Sequence, residues 1–160
     1  MRYLITLLLT AVTCFGQYLS PPDFDGSTGY LEISQSDDLE FGASTDFSIS
    51  CWVNLTDKGG NQYITGYGDR DGSGDGWTLY HIDSDEKVYF AIESGGTQTT
   101  IVSANSIPFD EWVHLVVVCD RDGNAELFID GSSSVTGDIS SVGDINHATL
   151  RDVYFGTAYF

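Results

Sequence analysis

Residues 69–75 hold the densest set of oxygen ligands in this chain, with Asp69, Asp71, Ser73 and Asp75 set among Gly72 and Gly74. Alternate oxygens fold around a hard cation, and glycine permits the sharp turn. Asp69, Asp71 and Asp75 are therefore the candidate ligands for calcium, the one cofactor the sequence suggests. The pattern follows only the first half of a helix-flanked calcium loop, because the position where a bidentate Glu belongs is Tyr80. An ordinary acidic glycine turn has the same composition. Tyr67, Trp77, Tyr80 and His81 surround the loop. Aromatic faces stack on sugar C–H surfaces while polar neighbours read the hydroxyls, so these four are the candidate ligand-binding residues. Trp77 serves equally well as core. For Trp52 and Trp112 core is the stronger expectation.

Other residues give less. Asp120, Asp122, Gly123 and Asn124 are what a tight hairpin needs, and residues 83–86 read the same way. Glu93, Glu111 and Glu126 are isolated, and no strand carries the alternating carboxylates that put acid and nucleophile on one face. His81, His114 and His147 are far apart and lack zinc spacing; His114 reads as structural. No nucleophile motif is present. The chain reads as non-catalytic, with a glycan-cleaving enzyme as the disfavoured alternative.

The surroundings of the fold are legible too. Residues 3–15 form an apolar run after Arg2, too short for a comfortable bilayer span, so residues 1–16 read as a signal peptide and 17–22 as a linker. The chain is expected outside the cell, secreted, periplasmic or at the cell surface, with no membrane insertion once the leader is removed. The net charge is −18, and all 24 acidic residues lie beyond the leader. Such a surface argues against nucleic acid and anionic membranes, and is consistent with either bound cations or simple solubility. Cys51 and Cys119 remain after the leader. An even pair in a secreted chain suggests a disulfide, and both look core-facing; two separate buried thiols are the alternative.

These residues must be positioned by strands. Residues 113–119 form a run rich in β-branched valine, residues 120–124 turn, and residues 125–129 alternate, which makes a β-hairpin. Further strands are expected at residues 30–33, 46–54, 62–66, 77–82, 87–93, 97–103 and 150–156, while residues 132–146 read as polar and irregular. Counting by two from Phe47 puts Ile49, Cys51 and Val53 on one face. No stretch has a helical period. The expected class is an all-β antiparallel sandwich or jelly roll in a single domain over residues 23–160.

Four segments, in order, carry a family likeness: residues 24–33, 46–53, 76–80 and 112–118 with Asp130 and Gly131. Together they resemble the laminin-G-like, concanavalin A-like domains. The resemblance implies a jelly roll of two antiparallel sheets. It also implies non-catalytic binding of a glycan or of an extracellular or cell-surface protein, often with calcium at the rim. Such domains usually continue past the strand that ends at Gly156 with a closing strand; either this sequence is a fragment or this copy lacks that strand, and an unpaired edge would favour self-association or poor stability. The similar pentraxins place an acidic calcium ligand where Asp75 stands and an acidic cluster where residues 157–160 offer no carboxylate. A site of that type would be incomplete here.

Overall fold

The computed structural model describes residues 21–26, 28–34, 36–68, 74–146 and 152–157. The proposed leader, Asp69, Asp71 and Phe160 lie outside them. Ten strands form: β1 (Leu31–Ile33), β2 (Phe47–Asn54), β3 (Gln62–Gly68), β4 (Gly76–Ile82), β5 (Lys87–Ser94), β6 (Thr97–Val102), β7 (Trp112–Cys119), β8 (Asn124–Ile129), β9 (Ser132–Asp138) and β10 (Val153–Phe155). They make two antiparallel sheets, one ordered β1-β10-β3-β4-β5-β6 and the other β2-β7-β8-β9. This is the expected all-β sandwich. The short 3-10 turn Asp37–Leu39 is the one helical element among the described residues.

Alternation decides what fills the sandwich. Leu79, Val88, Phe90, Ile92, Leu115, Val117, Cys119, Ala125 and Leu127 are fully enclosed. The β7–β8 hairpin forms with Cys119 opposite Ala125. Its turn closes through the Gly123 amide, which donates to the Asp120 carbonyl at 3.1 Å.

Two expectations change. The polar stretch 132–146 contains strand β9, paired along β8 from Ser132 to Asp138. An edge strand needs little apolar patterning, because neighbours cover one face and one backbone edge only. Gly137 is required there, since a Cβ would run into the Ile101 side chain. Beyond β9, Ile139, Val142 and Ile145 turn inward and seal the core.

The second correction concerns the cysteines. Cys51 pairs with Leu115, and Cys119 pairs with Phe47, so the two thiols sit four residues apart along the β2–β7 ladder. At the rise of a strand that is about 13 Å, far outside disulfide reach. Both cysteines are free. Burial pushes the Cys51 thiol up to about 11 and the Cys119 thiol up to about 12, leaving both neutral and unreactive at neutral pH.

Candidate functional site: the outer face of the four-stranded sheet

Strand parity places the expected site residues, and it scatters them. On β4, Trp77, Leu79 and His81 share the inner face. Trp77 and His81 are buried there, as is Tyr67 on the neighbouring strand. None of these three presents a face to a ligand, so their assignment as a sugar platform is corrected. Tyr80 points outward from the six-stranded sheet but is sandwiched between Tyr63 and Tyr89, with ring centroids 5.8 and 5.3 Å away. That ladder leaves Tyr80 buried.

His81 fills core space. Its ring meets Phe109 edge-on at 5.3 Å, and neither nitrogen has a hydrogen-bond partner of good geometry. Burial lowers its pKa; the Glu86 backbone and the carboxylates of Asp83, Asp85 and Glu86 oppose this only in part.

The acidic loop is anchored at one end. Asp75 Oδ1 accepts a hydrogen bond from the Gly95 amide at 2.6 Å, which ties the start of β4 to the β5–β6 turn. Gly68 and Gly76 face each other at the loop's neck with φ of 89° and 146°. A Cβ on either would strike the opposite backbone. No group of three His, Cys, Asp or Glu is arranged to hold a metal ion among the described residues.

A buried cation organises this rim instead. Arg121 is enclosed, and its Nη2 donates to the carbonyls of Gly143 at 2.6 Å, Val142 at 3.2 Å and Gly42 at 3.4 Å. Its amide donates to Asp46 Oδ1 at 2.8 Å. One guanidinium thereby pins the segments that precede β2 and follow β9.

The aromatic surface lies on the other sheet. Inward Phe47, Cys51 and Val53 force Trp52 outward, and inward Val113 and Leu115 force Trp112 and His114 outward. Trp52 is 62% exposed and Trp112 51% exposed, which corrects the expectation that both fill the core. Trp52 stands opposite His114 and stacks on it, with centroids 4.9 Å apart at 23°. His114 Nε2 lies 2.9 Å from Ser50 Oγ. Trp112 stands opposite Asn54, one diagonal step from Trp52. The same face continues through Val116, Phe128 and Val118, of which Val118 is also exposed. Exposed Trp52, Trp112 and Val118 thus share a face with the polar groups Ser50, Asn54, His114 and Glu126. Monomeric domains seldom expose such a face without a use for it. The signal was in the sequence: once Ile49, Cys51 and Val53 share a face, Trp52 must take the other.

The paired sheets, four against six, match a known architecture. Residues 25–160 fit the family described as the concanavalin A-like lectin/glucanases superfamily. The chain belongs to that superfamily. Among solved structures, it is similar to the binding domain of botulinum neurotoxin serotype G, at 18% identity and a TM-score of 0.61, over 84% of this chain and 38% of that one. The binding domain of Paraclostridial Mosquitocidal Protein 1 gives 14% identity and a TM-score of 0.64, over 86% and 40%. The serotype D ligand-binding domain, solved in complex with N-acetylneuraminic acid, gives 12% and 0.63, over 80% and 32%. At these identities the likeness is one of fold, and this concanavalin A-like chain spans well under half of each. No curated protein matches its sequence significantly.

Proposed function

We propose that this superfamily member is a non-catalytic binding module acting outside the cell, and that it holds a glycan on the outer face of the β2-β7-β8-β9 sheet. The observation that carries the reading is the exposed pair Trp52 and Trp112. Two indole faces suit the C–H surfaces of consecutive sugar rings, and Asn54, Ser50 and His114 stand beside them to meet hydroxyls. A fold shared with a domain solved in complex with N-acetylneuraminic acid supports the ligand class.

The non-catalytic part rests on how the carboxylates of both sheets are placed and engaged. On the proposed face Glu126 accepts from the Ser133 hydroxyl and Asp138 from the Ser140 amide and hydroxyl. The described strands of the six-stranded sheet place two carboxylates on its outer face, Glu32 and Glu93. They lie on β1 and β5, four strands apart, or about 19 Å. Glycosidic carboxylates work about 5–9.5 Å apart. Glu93 is also engaged, accepting from Gln98 Nε2 at 3.1 Å. Extracellular placement rests on the N-terminal apolar run. No described helix is long and apolar enough to cross a membrane.

Glycan-array binding tests the proposal, run with calcium and with chelator and repeated on Trp52→Ala and Trp112→Ala. The expected result is binding that both variants lose. Absence of binding under every condition would sink the glycan reading. A second reading, adhesion through protein contact, draws on the same face, and a partner that binds in a Trp52-dependent way without sugar would favour it.

A further inference from the structure

Strands β2, β7, β8 and β9 contain no lysine and no arginine along their whole length. Among the described residues the chain has three such cations, Lys58, Lys87 and Arg121. Lys58 Nζ donates to the Phe24 carbonyl at 3.3 Å. Lys87 opens β5 in the other sheet. Arg121 is enclosed, with its Nη2 committed to backbone carbonyls. His114 is the one basic side chain on the strands that carry the exposed indoles.

Carboxylates border the indoles instead. Asp110 and Glu111 are exposed and lead directly into Trp112. The Asp110 amide donates to the Leu55 carbonyl at 2.7 Å, which carries the β2–β7 pairing one step past Asn54 and Trp112 and holds Asp110 at that end. Asp130 stands beside His114. Its amide donates to the His114 carbonyl at 2.9 Å, and its Oδ1 accepts from the His114 amide at 2.9 Å. A carboxylate is thereby fixed next to the ring that stacks on Trp52. Glu126 and Asp138 follow farther along the same face. The chain as a whole carries a net charge of −18.

We infer that the glycan face selects by charge: it takes uncharged sugar rings and turns away glycans that carry carboxylate or sulfate groups. The inference rests on the glycan reading above and names the sugar class for the same site. Stacking on an indole uses the C–H face of a ring and needs no counter-charge. Acidic groups are recognised by arginine and lysine, and the four strands supply neither. An acid group brought to the edge of the indole pair meets Asp110, Glu111 or Asp130. It loses water there without gaining a partner, and like charge beside like charge is how a site rejects the wrong ligand. The field of the whole chain adds a longer-range repulsion at low salt. The acidic sugar bound in the similar serotype D domain, N-acetylneuraminic acid, is thus not the kind this face holds.

The test uses an array of matched sets, each neutral oligosaccharide beside its sialylated and its sulfated form. It is read at about pH 8, where an ordinary imidazole is neutral. The strongest neutral binder and its sialylated form are then titrated by calorimetry. The expected result is Trp52-dependent binding of the neutral sugar, with the sialylated form at least about tenfold weaker in about 10 mM salt. In about 0.5 M sodium chloride that gap should narrow severalfold, while the neutral affinity moves less than about twofold. Asp110→Asn combined with Glu111→Gln should also narrow the low-salt gap. Both replacements keep side-chain size, and asparagine accepts the φ of 59° at Asp110, so the fold should hold; a thermal melt checks it. Two outcomes overturn the inference. An acidic form binds as tightly as its neutral partner at low salt, or the gap ignores both salt and the double variant, which would make it steric. Absence of binding by any sugar, neutral or acidic, is a different failure: it sinks the glycan reading itself, and the charge rule with it.

Discussion

A tryptophan's role here is set by which parity of its strand it occupies. Trp52 and Trp112 are outward, so truncating either should leave stability within about 0.5 kcal/mol while weakening ligand binding about tenfold or more. Trp77 is inward, lies tilted against Phe47 with ring centroids 6.1 Å apart and belongs to the core, so Trp77→Ala should cost about 3–5 kcal/mol. Urea denaturation of the three variants beside their glycan binding separates the roles; a stable Trp77→Ala would contradict the placement. His81 makes a second prediction. Its folded-state pKa is lowered by burial, so the unfolded chain takes up a proton near pH 6.5 that the native chain refuses. The stability His81 permits is therefore full above that pH and declines as pH falls through and below it. The difference in urea midpoint between pH 7.5 and pH 5 should shrink in His81→Leu, because that variant has nothing to protonate. Equal acid sensitivity in the two proteins would refute the assignment. Part of this was legible and part was not. The alternation that faces Ile49, Cys51 and Val53 inward also exposes Trp52, but the usual interior preference of Trp pulled the other way. Nothing local marks Tyr67 or His81 as inward, because β3 and β4 lack clean alternation and their parity follows from partners distant in sequence.

Register governs the elements. The β2–β7 ladder offsets Cys51 and Cys119 by four residues, so the domain should carry two free thiols. Thiol titration in denaturant without reductant should recover both, and reductant should leave the melting temperature unchanged. A bridge would instead appear as missing thiols, with about 2–5 kcal/mol lost on reduction. The neck of the acidic loop makes a sharper test. Gly68 and Gly76 approach so closely, in backbone conformations that disfavour a side chain, that Gly76→Ala should cost more than about 1 kcal/mol and loosen the β3–β4 pairing. A neutral result in thermal melts would mean the neck is wider than described. Strands with apolar alternation and glycine-aspartate turns could be read directly from sequence, which is why the β7–β8 hairpin stood out. Strand β9 could not, because Ser132, Ser133 and Ser134 earn strand conformation only by pairing with β8. Ile139, Val142 and Ile145 were hidden in the same polar stretch. They reach the core because the chain around them is held by Arg121, and no spacing rule anticipates a buried guanidinium on three carbonyls.

For the whole molecule the dominant quantity is charge. With a net charge of −18, self-repulsion opposes the compact state, and screening should relieve it. Raising sodium chloride from low concentration to about 0.5 M shortens the screening length from tens of ångströms to a few, so the melting temperature should rise. Calcium bound through Asp69, Asp71 and Asp75 would act differently. A specific site stabilises by mass action, growing as the logarithm of calcium concentration above its dissociation constant, whereas screening depends only on ionic strength. Calcium and magnesium chloride compared at equal ionic strength therefore separate the two. Magnesium is the apt control because it demands a tighter octahedral shell and gives up its waters reluctantly. A calcium-specific rise in melting temperature that Asp75→Asn reduces, in a protein whose Asp75 already holds the Gly95 amide, would mean the loop is a cation site at the rim. Equal rises with both salts would mean that the acidic surface binds no cation specifically. The Arg121 clamp, an internal cation already gathering the carbonyls of Gly42, Val142 and Gly143, would then be what organises the adjoining rim.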